Sequence, residues 1–368
     1  MKKLIVISAV NLRSGGPLSI LHDLLNYLDA NLVSSYRITA LVHSKSIVPN
    51  TKNIRYIEFP KSVSSYVYRL YYEYFYFYKL SKELDPYLWL SLHDMSPRVN
   101  ASIQAVYCHN PAPFYKITKK DFFLDNHFVL QNWLYKFFYK INIKQNNFVI
   151  VQQNWLRNEF KKIFDIKNII VAKPNIDISI PTYSKKNQKD KKVFFYPSFP
   201  RVFKNFEVIC EAVSKLDEKY NKKFEVLITI NGNENKYAKM IYKKYRHLKN
   251  IRFIGLQTRE KVFEIYARSD CLIFPSKLET WGLPISEYKL FNKPMIVADL
   301  LYAHETVGDY NKVNFFNPND AQVLARYIKS FLENNSIFIK HTSAKISEPR
   351  TESWSQLCNY LLNNAVNK

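Results

Sequence analysis

The sequence predicts an α/β protein with two domains, each built on a parallel β-sheet that helices cover on both faces. Short apolar runs rich in β-branched residues alternate with longer segments whose apolar residues recur at helical spacing. Nearly continuous apolar strands of this kind are typical of buried parallel sheets. The alternation starts afresh after a lysine-rich stretch, YSKKNQKDKK at residues 183–192. A chain of 368 residues is also too long for one ordinary hydrophobic core.

The first half is predicted to contain seven strands. They read KLIVISAV, YRITALVH, NIRYIEF, YLWLSLH, SIQAVYCH, NFVIVQQ and KNIIVAKPNIDIS, the last leaving the domain through Pro174. The segment PLSILHDLLNYLDAN predicts a helix after the first strand, because its apolar residues share one face and Pro17 suits a first helical turn.

The second half repeats this pattern. Its predicted strands are KVFFYPS, FEVLITING, IRFIG, DCLIFPS and PMIVAD, and its predicted helices are NFEVICEAVSKLDEKY, YAKMIYKKYRHL, TREKVFEIYARS and PISEYKLFN. The C-terminal SWSQLCNYLLNNAV predicts one more amphipathic helix. We therefore place the domains at residues 1–175 and 176–345, followed by a C-terminal helix within residues 346–368.

Composition narrows the class of protein. The formal net charge is +23 and both halves carry it, which suits an anionic partner such as a phosphorylated ligand, an anionic membrane or a nucleic acid. The four cysteines form no C-x-x-C pair, which excludes a zinc ribbon and favours a reducing compartment. The N-terminal MKKLIVISAV is interpreted as a buried strand, because its apolar run is short and no convincing cleavage site follows. The sequence contains no run of 18 apolar residues, so it predicts no membrane-spanning helix.

Glycine is scarce, so each glycine is a candidate for a functional position. Average usage of about 7% would give roughly 25 glycines in a chain of this length, whereas the sequence has 6. Four positions follow predicted strands, where open α/β sheets bind ligands: they are Gly15 with Gly16, Gly232, Gly255 and Gly282. The Gly15-Gly16 pair precedes a helix and predicts an anion-binding loop, but it is not a G-x-G-x-x-G fingerprint.

The stretch LETWGLPISE, residues 278–287, contains two acids around Gly282. Gly282 allows a ligand to approach the main chain, and Pro284 suits the first turn of a helix. Glu279 then lies at the carboxyl edge of a strand, and Glu287 in the first helical turn. One interpretation is a site for a hydroxylated, negatively charged ligand. The alternative is that Glu287 only complements the helix dipole while Glu279 is a solvated loop acid.

Two cations follow the first strand of the second domain. Arg201 and Lys204 lie three residues apart in FPRVFKN. Such a pair is able to neutralise a diphosphate without a metal ion. The alternative is a solvated basic face at the start of a helix.

Together these motifs resemble the donor-binding half of a family 4 glycosyltransferase with the GT-B fold. The resemblance is strongest over residues 193–320 and weaker in the first half. It implies two Rossmann-like domains facing across a cleft, with the C-terminal helix returning to the first domain. The departures are the missing glycine before Arg201, in YPSFPR, and the hinge sequence NIDI.

The resemblance assigns roles to individual residues. It implies that Glu287 binds ribose hydroxyls, that Glu279 contacts the transferred sugar, and that Arg201 and Lys204 bind the diphosphate. His109, in YCHNP after a predicted strand, is implied to lie over the donor sugar, although a buried core histidine is the alternative. The other residues implied in donor binding are Gly15, Gly16, Gly232, Leu256, Gly282 and the main chain at Leu283, Pro284 and Ile285.

The function implied is a retaining transfer of a hexose from a nucleoside diphosphate sugar to a glycan or lipid-linked glycan, in bacterial O-antigen or capsule synthesis. No cofactor is expected, and no metal, because the sequence has no D-x-D, no H-E-x-x-H and no clustered His/Asp set. Two alternatives remain. One is a sugar-nucleotide epimerase of the same fold, and the other is a non-catalytic protein that binds anions or nucleic acid. The nucleic-acid reading lacks a recognisable module, so we expect no such partner.

The aromatic segment YVYRLYYEYFYFYKL, residues 66–80, is a further candidate for a binding surface. Tyrosines concentrate where protein meets lipid headgroups, and a helix that is apolar nearly all round exceeds what one buried face requires. We therefore expect a cytoplasmic protein that docks on the inner face of an anionic membrane. The alternative is a wide core helix whose tyrosine hydroxyls reach solvent.

Overall fold

The chain forms two parallel sheets, as predicted, and residues 350–351 near its C-terminus add one strand to the first sheet. The computed structural model describes residues 2–13, 15–173, 191–335, 338, 341 and 346–364. Most of the lysine-rich stretch at residues 183–192, both predicted domain boundaries and the end of the C-terminal helix lie outside the described residues.

The first sheet has eight parallel strands in the order β14-β7-β6-β5-β4-β1-β2-β3. Numbered along the chain, these strands are β1 Lys3–Ala9, β2 Tyr36–Val42, β3 Ile54–Glu58, β4 Leu88–Ser91, β5 Ile103–Cys108, β6 Phe148–Val151, β7 Ile169–Ala172 and β14 Arg350–Thr351. In register, Ile5 of β1 pairs with Ile38 of β2 on one side and with Leu88 of β4 on the other. The strand order reverses at the β1–β4 junction, and such a switch point is where open α/β sheets bind ligands.

The helices of the first unit are α1 Gly16–Asn31, α2 Tyr66–Tyr71, α3 Phe77–Leu84, most of α5 Asn126–Lys140 (from residue 131), α6 Asn154–Phe164 and α13 Trp354–Asn363. A π-helix, Tyr72–Tyr76, joins α2 to α3. Helix α1 buries Leu21, Leu24 and Leu28 against the sheet, which is the face predicted from their spacing. The C-terminal helix α13 contributes Leu357 and Leu361 to the same core.

The second sheet has six parallel strands in the order β10-β9-β8-β11-β12-β13. These strands are β8 Lys192–Tyr196, β9 Phe224–Ile228, β10 Ile251–Phe253, β11 Cys271–Phe274, β12 Met295–Ala298 and β13 Val313–Phe316. The helices of this unit are α4 Lys119–Leu124, α7 Phe206–Ser214, α8 Lys236–Tyr245, α9 Arg259–Arg268, α10 Leu283–Lys289, α11 Leu301–Val307 and α12 Ala321–Leu332.

The division into units differs from the sequence-based division in one segment. The first unit comprises residues 1–114, 131–175 and 346–368, and the second comprises residues 115–130 and 176–345. The prediction placed residues 115–130 in the first domain, because contiguous sequence was assigned to one sheet. In the structure these residues pack with the second unit, through an aromatic contact between Phe128 and Phe203 and two ion pairs described below.

None of the described helices combines the length and the apolar character that crossing a bilayer requires.

Candidate functional site

The LETWGLPISE loop follows β11 and turns sharply at Gly282. This residue has φ 83°, a left-handed conformation, and it caps helix α10. A side chain at Gly282 would also lie 3.4 Å from Ile285 and from Tyr302. Those distances are ordinary van der Waals contacts, so glycine is required here for its backbone freedom rather than for its size.

The main chain at Leu283, Pro284 and Ile285 offers fewer free amides than predicted. Pro284 has no N–H, and the Ile285 N–H donates to the Gly282 carbonyl at 2.9 Å. Of these three residues, only Leu283 has an amide that is not used in a described backbone bond. The sequence showed that a helix starts here, but not that its first bond would use the Ile285 amide.

A short 3-10 turn, Val202–Lys204, follows β8. Arg201 caps the start of this turn, and Lys204 is its last residue. The turn is held in place because the Tyr196 hydroxyl donates to the Lys204 carbonyl at 2.8 Å. Asn205, with φ 59°, then starts α7. Both cations are thus fixed at the carboxyl end of the first strand of the sheet, where the sequence predicted them.

Lys204 and Glu279 meet although they lie 75 residues apart in the sequence. The Lys204 ammonium is 2.5 Å from the Glu279 carboxylate, and both side chains are largely buried. The structure thereby joins two motifs that the sequence suggested separately, the cation pair and the E-x7-E pair.

Arg201 is paired with Asp125, a residue that sequence reasoning did not single out. The Arg201 Nη1 lies 3.0 Å and 3.3 Å from the two carboxylate oxygens of Asp125. Asp125 comes from the segment that packs with the second unit, between α4 and α5. No local motif marks this residue, since only the tertiary packing brings residues 115–130 next to Arg201.

Glu287 lies in α10 and is largely buried. It accepts a hydrogen bond from the Tyr266 hydroxyl at 3.2 Å, and Arg259 is 3.8 Å away. Burial raises the pKa of the Glu287 carboxyl above its ordinary value, and Arg259 and the Tyr266 hydroxyl oppose this shift only in part. A buried carboxylate with one neutral donor keeps spare acceptor capacity for ligand hydroxyls.

Gly232, Gly255 and Leu256 follow β9 and β10. A side chain at Gly232 would lie 2.8 Å from the Tyr242 Cβ, and Gly232 has φ 94°. Gly255 has φ 70° and lies against Asn231. Both glycines are therefore required by the local fold whether or not a ligand binds there. Leu256 is half exposed beside them.

In the first unit, Gly15 caps helix α1 after β1. Its φ of 73° is left-handed, and its carbonyl accepts bonds from the Leu18 and Ser19 amides. Beyond its chain neighbours and the helix backbone, no described atom lies within 4 Å of where a side chain would begin, so only the backbone conformation requires glycine here. Gly16 is the first residue of the helix.

His109 follows β5 and is 8% exposed. Its backbone N–H donates to Asp94, and its ring lies 4.3 Å from that of Tyr107. Neither ring nitrogen makes a hydrogen bond of good geometry within the described part of the chain. Burial lowers the pKa of His109 to about 4, outweighing the opposing effects of Asp94 and the Leu92 carbonyl. The imidazole is neutral at pH 7.

The described residues contain no group of three or more His, Cys, Asp or Glu side chains placed to hold a metal ion. All four cysteines are buried and free.

Comparison with known proteins relates part of the sequence to a family. Residues 179–348 match the Glycosyl transferases group 1 family. Among curated proteins, O-antigen chain mannosyltransferase B of Escherichia coli is 26% identical over 113 residues. That match covers 31% of this chain and 29% of the length of the relative.

Solved structures share the fold across nearly the whole chain. A glycosyltransferase from Rickettsia africae superposes with a TM-score of 0.64 at 16% identity, covering 90% of this chain and 88% of that one. Anabaena Alr3699/HepE in complex with UDP and glucose gives a TM-score of 0.62 at 12% identity, covering 90% of each chain. At these identities the likeness establishes the fold, which is the predicted GT-B architecture of two Rossmann-like units. The range that matches the Glycosyl transferases group 1 family, residues 179–348, contains Arg201, Lys204, Glu279 and Glu287.

Proposed function

We propose that this protein is a retaining, metal-independent glycosyltransferase of family 4 that transfers a hexose from a nucleoside diphosphate sugar. The observation that carries the proposal is the Lys204–Glu279 pair, 2.5 Å apart within the range that matches the Glycosyl transferases group 1 family. It places a cation suited to a diphosphate next to an acid suited to a sugar hydroxyl.

The donor diphosphate binds Lys204 and Arg201. A diphosphate is a stronger partner for these cations than one carboxylate, because it offers more charge and more acceptor oxygens. Binding separates Lys204 from Glu279 and leaves that carboxylate free to accept a hydroxyl of the sugar. Glu287 accepts the ribose hydroxyls. Gly282 leaves room for the ligand beside the main chain.

Catalysis is electrostatic in this account. Negative charge grows on the diphosphate as the bond to the anomeric carbon breaks, and Arg201 and Lys204 stabilise that charge. The buried, neutral His109 offers an unused ring nitrogen for positioning the donor sugar, consistent with its lowered pKa.

The acceptor is a glycan or a lipid-linked glycan of a bacterial surface polysaccharide such as O-antigen or capsule. The local similarity to an O-antigen mannosyltransferase supports this class of product, and the UDP complex of a structural neighbour supports a nucleotide-sugar donor. The alternatives remain an epimerase of the same fold and a protein that binds anions or nucleic acid without catalysis.

Thermal unfolding with a panel of UDP-, GDP- and dTDP-sugars tests the donor proposal. A donor present at 100 times its dissociation constant should add about 2.7 kcal/mol to the free energy of unfolding. The stabilising donor should then be consumed only when an acceptor glycan is added. Conversion of the donor alone would show an epimerase, and stabilisation by RNA or DNA but by no nucleotide sugar would overturn the enzymatic proposal.

We also propose that the first unit docks on an anionic membrane from the cytoplasmic side. Two charged residues of the aromatic segment face inward: Arg69 and Glu73 are buried with Phe77, where Arg69 donates to the His93 carbonyl and Glu73 bonds the His93 ring. Lys79 is exposed. The other exposed positions are apolar or aromatic, namely Tyr66, Val67, Tyr68, Tyr71, Phe75 and Tyr76.

Helix α5 extends this aromatic surface. Tyr66 stacks on Phe138 with ring centroids 6.3 Å apart, and Trp133 and Phe137 on the same helix are exposed. Lysines are the only charged residues of α5. Exposed aromatic rings with nearby lysines suit the headgroup region of an anionic bilayer.

Sedimentation with vesicles tests the docking proposal. The protein should bind vesicles containing anionic lipid at low salt, more weakly at high salt, and more weakly after Tyr71→Ser/Phe75→Ser. Leu301→Ser is the matched control, because Leu301 is exposed in the second unit. Equal binding by the aromatic variant and the control would leave this segment without a role in docking.

A further inference from the structure

Residues 115–130 form a strap on the Arg201–Lys204 turn. Tyr115 and Phe128 contact Phe203, which directly precedes Lys204, and their ring centroids lie 6.3 Å and 4.8 Å from that of Phe203. Lys120 forms an ion pair with Glu207 at 2.7 Å. The strap therefore covers the turn with aromatic rings and binds its neighbouring helix α7 by charge.

Asp125 is the strap residue that reaches a cation of the site. It is 8% exposed, and its Oδ1 accepts the Phe128 N–H at 3.1 Å as well as the Arg201 Nη1 at 3.0 Å. Both carboxylate oxygens of Asp125 bind Nη1 of Arg201, and no described hydrogen bond uses Nη2 or Nε of Arg201. Those N–H groups remain available to an incoming anion.

The two ion pairs of the site differ in how firmly their acids are held. Asp125 is tied to its own backbone by the Phe128 amide, whereas Glu279 has Lys204 as the hydrogen-bond partner of its carboxylate within the described residues. An anion that binds Lys204 displaces Glu279, an acid in a loop. An anion that takes Arg201 has a guanidinium already oriented by an anchored carboxylate.

We propose that Asp125 is a positioning residue: it holds the Arg201 guanidinium in the orientation that binds the donor diphosphate. This inference rests on the proposed function of Arg201 and adds a determinant outside residues 179–348, the range that matches the glycosyltransferase family. Donor affinity then depends on the strap as well as on the sheet that carries Arg201.

The positioning role predicts that removing the Asp125 carboxylate weakens diphosphate binding, whereas simple electrostatics predicts that it strengthens this binding. Removing a carboxylate beside an anion site should strengthen anion binding if charge alone decides. Freeing the arginine costs about 0.5–1.5 kcal/mol of ordering on binding, and 1.36 kcal/mol is a factor of ten. We therefore expect Asp125→Ala to weaken binding about twofold to thirteenfold.

Calorimetric titration of the full chain with UDP, GDP and dTDP tests this inference. The diphosphate that binds the native protein most tightly serves as the probe. Asp125→Asn should stay close to native, because its amide oxygen still accepts the Arg201 and Phe128 N–H groups. Lys120→Ala, which removes the other ion pair of the strap without touching Arg201, should also stay close to native.

A double-mutant cycle with Arg201→Ala separates this proposal from the proposed function. The Asp125→Ala loss should vanish when Arg201 is already absent, which a general loss of strap packing would not produce. Unchanged or tighter binding by Asp125→Ala, or the same loss in both backgrounds, would overturn the positioning role while leaving Arg201 as a donor contact. Undiminished binding by Arg201→Ala, or no binding of any diphosphate by the native protein, would instead overturn the diphosphate assignment itself and this inference with it.

Discussion

In the second unit the candidate site residues are charged and bonded to one another, whereas in the first they are neutral and nearly isolated. Lys204 pairs with Glu279 and Arg201 with Asp125, so each cation already has an acid. In the first unit, neither ring nitrogen of the buried His109 makes a hydrogen bond of good geometry within the described residues, and a side chain at Gly15 would meet no described atom within 4 Å beyond its chain neighbours.

In the proposed function, the two similar sheets serve different chemistry. Paired charges form a site that exchanges partners, since an anionic ligand replaces one charge-assisted bond by another. A neutral ring in a desolvated position instead keeps its hydrogen-bonding capacity for an uncharged group, such as a sugar hydroxyl. The predictions below test whether the charged unit controls donor binding and the neutral one positioning.

The largest expected effect is on the two cations of the second unit. We expect Arg201→Gln/Lys204→Gln to reduce activity at least a hundredfold, because each charge-assisted bond to a diphosphate contributes roughly 1.5–3 kcal/mol. Glutamines are preferred to alanines because each cation holds a largely buried acid, which a glutamine amide still partners. The melting temperature should change little. A fully active double variant would remove these residues from the site.

The next largest effect concerns the neutral histidine of the first unit. The folded-state pKa of His109 is about 4 and its ordinary value is 6.5, so the unfolded chain binds the extra proton more readily at intermediate pH. The stability contribution is fully present above about pH 6.5 and is lost as the pH falls toward 4, by about 3 kcal/mol in all.

Urea unfolding at pH 7 and pH 4.5 measures this loss. His109→Asn should be less acid-sensitive than the native protein, whereas His247→Asn, which removes an exposed histidine, should not differ from it. Equal acid sensitivity of all three proteins would mean that His109 accepts a proton in the folded state.

A smaller effect separates the two acids of the second unit. Glu279→Gln should lower turnover about tenfold with little change in donor affinity, while Glu287→Gln should weaken donor binding by a similar factor, since bonds to charged groups contribute about 1.5 kcal/mol or more. Because the pKa of Glu287 is raised by burial, donor binding should also weaken with acidification at a higher pH than for an ordinary glutamate. Steady-state kinetics across pH 5–8 measures both, and unchanged kinetics in both variants would leave the two acids with structural roles alone, Glu279 in its ion pair with Lys204 and Glu287 in its bond from Tyr266.

The smallest expected effect is that of a chelator. Transfer should continue in excess EDTA, because in this account the diphosphate charge is met by Arg201 and Lys204. Loss of activity in EDTA with recovery on adding Mn²⁺ would show that a metal ion shares this role.

Strands were the most predictable part of the fold. Nearly continuous apolar runs in the sequence identified the strands β1 to β12. A strand that is buried on both faces has to be apolar throughout. Helices with exposed aromatic faces were not predicted: α4 carries exposed Phe122 and Phe123, and α5 exposed Trp133 and Phe137, so no apolar stripe stands out. The π-helix inside the aromatic segment has no sequence signature either.

The residues of the candidate site were predictable where a glycine or a charged side chain follows the carboxyl end of a strand. Lys204 and Glu279 were identified from separate loops, and only the parallel sheet brings them together. Asp125 was not predictable, because it lies in the strap, residues 115–130, which belongs to the second unit although the sequence on both sides of it belongs to the first unit. The amide of Ile285 was assigned to a ligand although the first bond of its own helix uses it.

The most direct test of the account is a crystal structure of the protein with the nucleoside diphosphate that binds it most tightly. The account predicts the diphosphate within hydrogen-bond distance of both Arg201 and Lys204, the Lys204–Glu279 bond broken, and the ribose hydroxyls on Glu287. A nucleotide bound elsewhere, with Lys204 still paired to Glu279, would contradict it.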